Sequence, residues 1–194
     1  TETATPVAIK RFYDDRMAEV SRISWSREVE ALQKLHGHKN IVEITGAGRC
    51  PETSRQYLAL EWIDQSLAQW VGDKRYKWDD YFETIGRPIL DALCFALGKN
   101  ILHRDIKPDN ILVSDDRIKV VDFGIAQFSE HFGRGQQTLI LRGSMPFAPV
   151  WLANLGDQRK RDVYAFGVLS LCVLMSDLNP SNDLEVTKEI KKLK

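Results

Sequence analysis

The chain predicts an α+β fold, with a small β-rich lobe followed by a larger, mainly helical lobe. Three observations predict it. Short β-branched apolar runs crowd the segment up to Ile63. After Ile63 the apolar residues recur every three to four positions. Strands gathered first and helices afterwards is the layout of an α+β protein. With 194 residues there is chain enough for one or two compact domains. A hinge near Glu61–Asp64 divides it into a small lobe of residues 1–62 and a helical lobe of residues 63–194.

Each element follows from local pattern. Pro6-Val-Ala-Ile-Lys-Arg-Phe12 is short, apolar and β-branched, and reads as a strand. Val29, Leu32 and Leu35 stand at helical spacing over residues 26–35, and Gly37 is placed to stop that helix. Ile41–Ile44 and Tyr57–Ile63 read as two further strands, separated by a polar loop holding Gly46, Gly48 and Pro51. Tyr81, Phe82, Ile85, Ile89, Leu93 and Leu97 form a helical run ending at Gly98, with Pro88 inside it to start or kink a helix. Ile111–Val113 and Ile118–Val121 predict a hairpin turning at Ser114-Asp-Asp116, and Asp162–Met175 an apolar helix. The stretch from Ala126 to Arg142 shows no clear periodicity.

Composition narrows the function classes. Lys+Arg and Asp+Glu balance at 27 each, so no broad field argues for nucleic acid or an anionic membrane. The run Val163–Met175 is broken by Gly167 and Ser170 and is too short to span a bilayer. Cys50, Cys94 and Cys172 are odd in number and far apart, which predicts reduced thiols and a cytoplasmic location. Neither the cysteines nor His36 and His38 have metal-cage spacing.

Four segments carry chemistry. In Val7-Ala-Ile-Lys10, Ala8 and Lys10 share one strand face. The small residue leaves room for a flat ring, and the ammonium can reach a phosphate. A strand lysine is by default solvated, so this segment needs support from elsewhere. Glu28 shares a helix face with Leu32 and Leu35, the face that packs, and a carboxylate there needs a cation. Lys10 is the candidate, while Glu30 falls on the solvent side. The third and fourth segments are His103-Arg-Asp-Ile-Lys-Pro-Asp-Asn110 and, twelve residues after Asn110, Asp122-Phe-Gly124. Seven such specified positions meet by chance on the order of once in 10⁹ tries.

With these strings the chain resembles the eukaryotic-type protein kinase superfamily, in its Ser/Thr-directed form. The resemblance implies a two-lobed kinase-like fold and transfer of the γ-phosphoryl group of ATP, with Mg²⁺, to Ser/Thr hydroxyls of protein substrates. It implies Asp105 as the residue that orients or deprotonates the acceptor hydroxyl, and Lys107 as the cation on the transferring group. Asn110 and Asp122 become the Mg²⁺ ligands, and Lys10, held by Glu28, grips the α- and β-phosphates. Adenine would lie between Ala8 and Leu112, with Leu60 at the back of its pocket and backbone groups of Glu61 and Ile63 facing it. His103 and Phe123 form an apolar stack, so His103 is structural and not the base. Lys107 two residues after Asp105, and Ser144 in Arg142-Gly-Ser-Met-Pro-Phe-Ala-Pro149, match the Ser/Thr pattern. Thr138 stands where the family carries an activating phosphate, and Arg104 is the residue that would neutralise it.

The chain also departs from that pattern. The resemblance starts at the third strand of the small lobe, so the Gly-rich phosphate loop and the two strands around it are expected to be missing, as are the last helices. The family's Ala-Pro-Glu is Ala148-Pro149-Val150 here. Two other classes compete: a pseudokinase or scaffold that binds without transfer, and a small-molecule kinase of the aminoglycoside or choline type. The intact Lys10, Glu28, Asp105, Asn110 and Asp122 weigh against the first. Arg104 and Phe123-Gly124 weigh against the second, because those enzymes lack them.

Overall fold

The computed structural model describes residues 5–12, 18–72, 74–115, 117–123, 127–128, 147 and 159–175. Strand β1 (Val7–Arg11) alternates by two: Val7 and Ile9 face outward at 44% and 53% exposure, while Ala8 and Lys10 turn inward, half-buried. Helix α1 (Ala18–Lys34) extends well before the apolar positions that predict it. Its inner face carries Glu28, Ala31 and Leu32, all buried. Its outer face carries a Lys34–Glu30 pair at 2.9 Å, the one-turn spacing at which helix side chains meet. Gly37, at φ +81°, then turns the chain in a conformation that favours glycine.

The next strand corrects the sequence reading. Ile41 makes only an isolated parallel bridge to Val120, and β2 runs Ile44–Arg49, through Gly46 and Gly48. The expected loop therefore shrinks to the turn at Pro51–Thr53. The glycines are tolerated because the neighbouring strand β3 (Gln56–Glu61) fills their space. The Tyr57 ring lies over Gly48, where a Cβ would sit 3.0 Å from the phenolic oxygen. Among the described residues the sheet order is β1-β3-β2, all antiparallel, with a register irregularity between Ile44 and Gly46 and β1 at an outer edge.

β4 (Gln65–Ser66) follows directly after Trp62–Asp64 and leads into α2 (Leu67–Val71), capped by reciprocal Ser66 and Gln69 hydrogen bonds. The predicted helical run is present as α3 (Trp78–Tyr81), a π-turn at Phe82–Gly86 and α4 (Arg87–Gly98). The π-turn sits where Pro88 demands it. Proline has no N–H and its ring crowds the carbonyl four residues back, and the wider turn closed by Arg87 N–H to Phe82 O gives that carbonyl room. β5 (Ile101–Leu102) precedes the predicted hairpin, found as β6 (Ile111–Ser114) and β7 (Arg117–Val120). β4, β6 and β7 form a second sheet, and β5 pairs with β8 (Gln127–Phe128). Helix α5 (Lys160–Leu174) buries Ala165, Val168, Leu169, Cys172 and Val173 and is tied to α3 by a 2.6 Å bond between Tyr81 Oη and Ser170 Oγ.

One hydrophobic core runs through both sheets and the helices, from Leu32 and Leu58 to Ile111 and Leu169. The segment 40–43 stitches its two halves. Asn40 Nδ2 donates to Ile118 O at 2.9 Å, and Val42 N–H to Val120 O at 3.1 Å. On the other side Glu61 N–H donates to Glu43 O at 3.0 Å. The architecture is the expected α+β, two-lobed fold. Among the described residues no helix is long and apolar enough to cross a membrane.

Candidate active site

Lys10, Glu28 and Asp122 arrive from β1, α1 and the end of β7, and the structure brings them together. Lys10 Nζ lies 2.7 Å from Glu28 Oε2 and 2.8 Å from Asp122 Oδ1. Burial alone would lower the lysine pKa, but the two carboxylates outweigh it and hold it above its ordinary value. Glu28 is fully buried, and that burial pushes its carboxyl up to about 7 against the pull of Lys10, with the charge of Asp122 adding to the rise. The two partners move up for different reasons: burial raises Glu28, and the two carboxylates that share one ammonium raise Lys10. The cluster carries one surplus negative charge, and the buried member is where a proton is most easily held.

The loop after β5 is held by a residue that the sequence reading passed over. Asp162, in the first turn of α5, accepts the amides of His103 at 2.8 Å and Arg104 at 2.7 Å. This clamp holds Arg104 at φ +71°, an unusual conformation for a residue with a side chain. His103 is fully buried. Its Nδ1 accepts from Asp105 N–H at 3.2 Å, its Nε2 lies 2.9 Å from Val121 O, and its ring meets Phe123 edge-on at 4.6 Å between centroids. The neutral tautomer with its proton on Nε2 satisfies both nitrogens, which leaves the ring packed as a scaffold.

Asp105 follows, with Lys107 Nζ 3.0 Å from its Oδ2. Asn110 Nδ2 donates to the same oxygen at 3.0 Å and to Asp105 O at 2.8 Å. Asn110 O accepts from Val121 N–H at 3.0 Å, which sets Asp122 beside the loop. With Nδ2 committed to Asp105, the amide oxygen Oδ1 is the atom that Asn110 has for a cation. Together with the Asp122 carboxylate it forms a pair of hard oxygen donors, the chemistry that Mg²⁺ takes.

Lys10, Glu28, Asn110 and Asp122 line one cavity of about 260 Å³, together with Ala8, Leu60, Glu61, Ile63 and Leu112. Asp109, Val42, Trp62 and Val121 line it too, and nothing in the sequence marked these four. Glu61 uses its side chain elsewhere. Its Oε1 accepts from Glu43 N–H at 2.7 Å and lies 2.6 Å from Lys119 Nζ on β7. The Glu61 amide is spent on Glu43, so its carbonyl is the backbone group open to a ligand.

Arg104 is only 4% exposed. Its Nε and Nη2 have no hydrogen-bond partner among the described residues. Burial, then the charge of Arg161, drives its pKa down to about 10 against the pull of Asp162, with Arg27 adding to the fall. A buried guanidinium so placed is suited to an anion. Thr138, Ser144, Gly124 and Ala148–Val150 lie outside the described residues.

The sequence matches the protein kinase domain family over residues 1–193. It is 29% identical over 175 residues to the probable serine/threonine-protein kinase PknB of Lactococcus lactis, covering 89% of this chain and 27% of that one. It is 33% identical over 170 residues to the serine/threonine-protein kinase Pkn1 of Myxococcus xanthus, covering 79% and 24%. With extracellular signal-regulated kinase 2 of Dictyostelium discoideum it is 32% identical over 127 residues, 65% of this chain and 34% of that one. The chain thus spans about a quarter to a third of the length of these relatives.

Proposed function

The chain belongs to the protein kinase domain family, and from that premise we propose that it transfers the γ-phosphoryl group of ATP to Ser/Thr hydroxyls of protein substrates. The observation that carries this reading is a pair of constellations linked through Asn110, which bonds Asp105 and lines the cavity beside Lys10, Glu28 and Asp122. Asp105 sits between Lys107 and Asn110, and Lys10 sits between Glu28 and Asp122. Phosphoryl transfer asks the protein for positioning and charge neutralisation, and both constellations supply those.

Asp105 orients the acceptor hydroxyl and takes its proton as the oxygen attacks the γ-phosphorus. The bond from that phosphorus to the bridging oxygen breaks, and ADP departs with the electron pair. Lys107 neutralises charge on the transferring group, and Lys10 holds the α- and β-phosphates. Ala8 and Leu112 bracket the adenine, with the carbonyl of Glu61 and the backbone of Ile63 along its edge and Leu60 behind it. A magnesium ion, bound with ATP, supplies charge neutralisation at the phosphate oxygens, and Asn110 Oδ1 and Asp122 are the residues that would hold it. Lys107 and Ser144 favour Ser/Thr acceptors. The relatives quoted above carry Ser/Thr-kinase names or are named as a signal-regulated kinase, which supports that assignment. We divide the domain between residues 62 and 63. Three thiols outside any disulfide fit a reducing compartment such as the cytoplasm.

Arg104 supports a switch in the same reading. Phosphate on Thr138 would give the buried guanidinium its anion and order the segment between Asp122 and Pro149. If Thr138→Ala left both activity and phosphorylation state unchanged, the switch would be discarded.

The deciding experiment is transfer of labelled γ-phosphate to a protein acceptor by the full-length protein, with Asp105→Asn beside it. Loss of the base lowers transfer by about 10²-fold or more. Equal transfer from both proteins overturns the assignment of Asp105, and no transfer from either leaves a binding scaffold in its place.

A further inference from the structure

We propose that Trp25 is a positioning residue for the Lys10–Glu28 pair, latching helix α1 onto the sheet through its indole N–H. The inference rests on the phosphoryl-transfer reading above and adds a residue to its machinery. Trp25 Nε1 donates to the backbone carbonyl of Tyr57 at 3.0 Å, across 32 residues of sequence. The ring is half-buried and packs against the hydrophobic core. Trp25 lies three residues before Glu28, the spacing that puts two side chains on one helix face. Both bonds from that face reach the same small sheet. Glu28 holds Lys10, whose partner across the β1–β3 ladder is Leu58, and Trp25 holds Tyr57, the next rung.

Two attachments do what one does not. Lysine reaches Glu28 on a flexible four-carbon stem, so this bond alone lets α1 roll and slide while the ion pair persists. The Tyr57 carbonyl belongs to the central strand, paired with Arg11 on one side and Gly48 on the other, and is a fixed acceptor. A carbonyl oxygen has two lone pairs, so it takes the indole without surrendering a ladder bond. The indole moves on only two side-chain torsions. The latch therefore fixes the rotation of α1, and with it the direction in which Glu28 presents Lys10 to the cleft.

The test is a double-mutant cycle on the full-length protein, read in kcat and in KM for ATP. Trp25→Phe keeps an aromatic ring and removes the N–H. It lowers kcat/KM by about tenfold, as loss of one part-buried hydrogen bond would. The same change in a Glu28→Gln background adds no further loss, because the latch acts only through Glu28. A second measurement needs no activity: hydrogen exchange of α1 amides speeds up in Trp25→Phe by about tenfold, while β6 and β7 are unchanged. Unchanged α1 exchange, or losses that multiply in the double mutant, overturns the proposal. Absence of transfer by the wild-type protein overturns the phosphoryl-transfer reading instead, and the exchange measurement still decides the latch. Should Trp25→Phe fail to fold, Trp25→Met, which is long, apolar and without a donor, is read in the same way.

Discussion

At the scale of single residues, the sharing of Lys10 between Glu28 and Asp122 sets two opposite pH dependences. The folded-state pKa of Glu28 lies above its ordinary value, at about 7. Its contribution to stability is therefore full below the ordinary carboxylate pKa and is lost as pH rises through about 7. Its hold on Lys10 runs the other way, since only the ionised carboxylate pairs with the ammonium. Transfer activity should fall on the acid side with an apparent pKa near 7. Glu28→Gln should remove that limb and flatten the stability profile, and pH–rate curves beside denaturant melts check both. Lys10→Met abolishes transfer in the proposed mechanism. It also strands a buried carboxylate, which costs about 3 kcal/mol where that group stays ionised. At pH 6 Glu28 picks up a proton, so the measured loss should be clearly smaller than at pH 8. Equal losses at both pH values would assign Lys10 a role in folding that does not depend on this charge.

At the scale of elements, what could be read from the sequence followed how local the signal was. His103–Asn110 and Asp122–Phe123 were legible because the chemistry is written in consecutive residues. Glu28 was legible because a carboxylate on a packing face contradicts its surroundings. β2 was misplaced because Gly46 and Gly48 carry loop chemistry in their own sequence, and only the Tyr57 ring on the adjacent strand makes a strand of them. Asp162 was missed for the same reason in three dimensions: a single acid at the head of an apolar helix looks like a cap until the loop it grips is folded against it. That grip predicts an ordered series. Asp162→Ala removes both acceptors for two buried amides and should cost about 3 kcal/mol or more, with a parallel fall in transfer. Asp162→Asn keeps one acceptor oxygen and should lose roughly half as much. Chemical denaturation of the two variants checks the order, and equal costs would mean that the clamp is not what holds Arg104 at positive φ.

At the scale of the whole molecule, the cleft joins parts that have separate attachments, so nucleotide should tie them together. MgATP at about a hundred times its Kd adds roughly 2.7 kcal/mol to stability. For a chain of this size that raises the melting temperature by about 5–10 °C. Asp122→Asn should remove the dependence of that shift on magnesium while leaving a smaller shift from ATP alone, and thermal melts with and without the metal distinguish the two. Glu61, Lys119 and the segment 40–43 stitch the two halves of the core together, with polar bonds as well as core packing. On the opposite side of the small sheet, β1 presents Val7 and Ile9 outward along an outer strand. Such a border is a template for pairing with another chain. These 194 residues handled alone should therefore behave as a sticky colloid, with light scattering that climbs with concentration and falls when Ile9→Lys places a charge on the border.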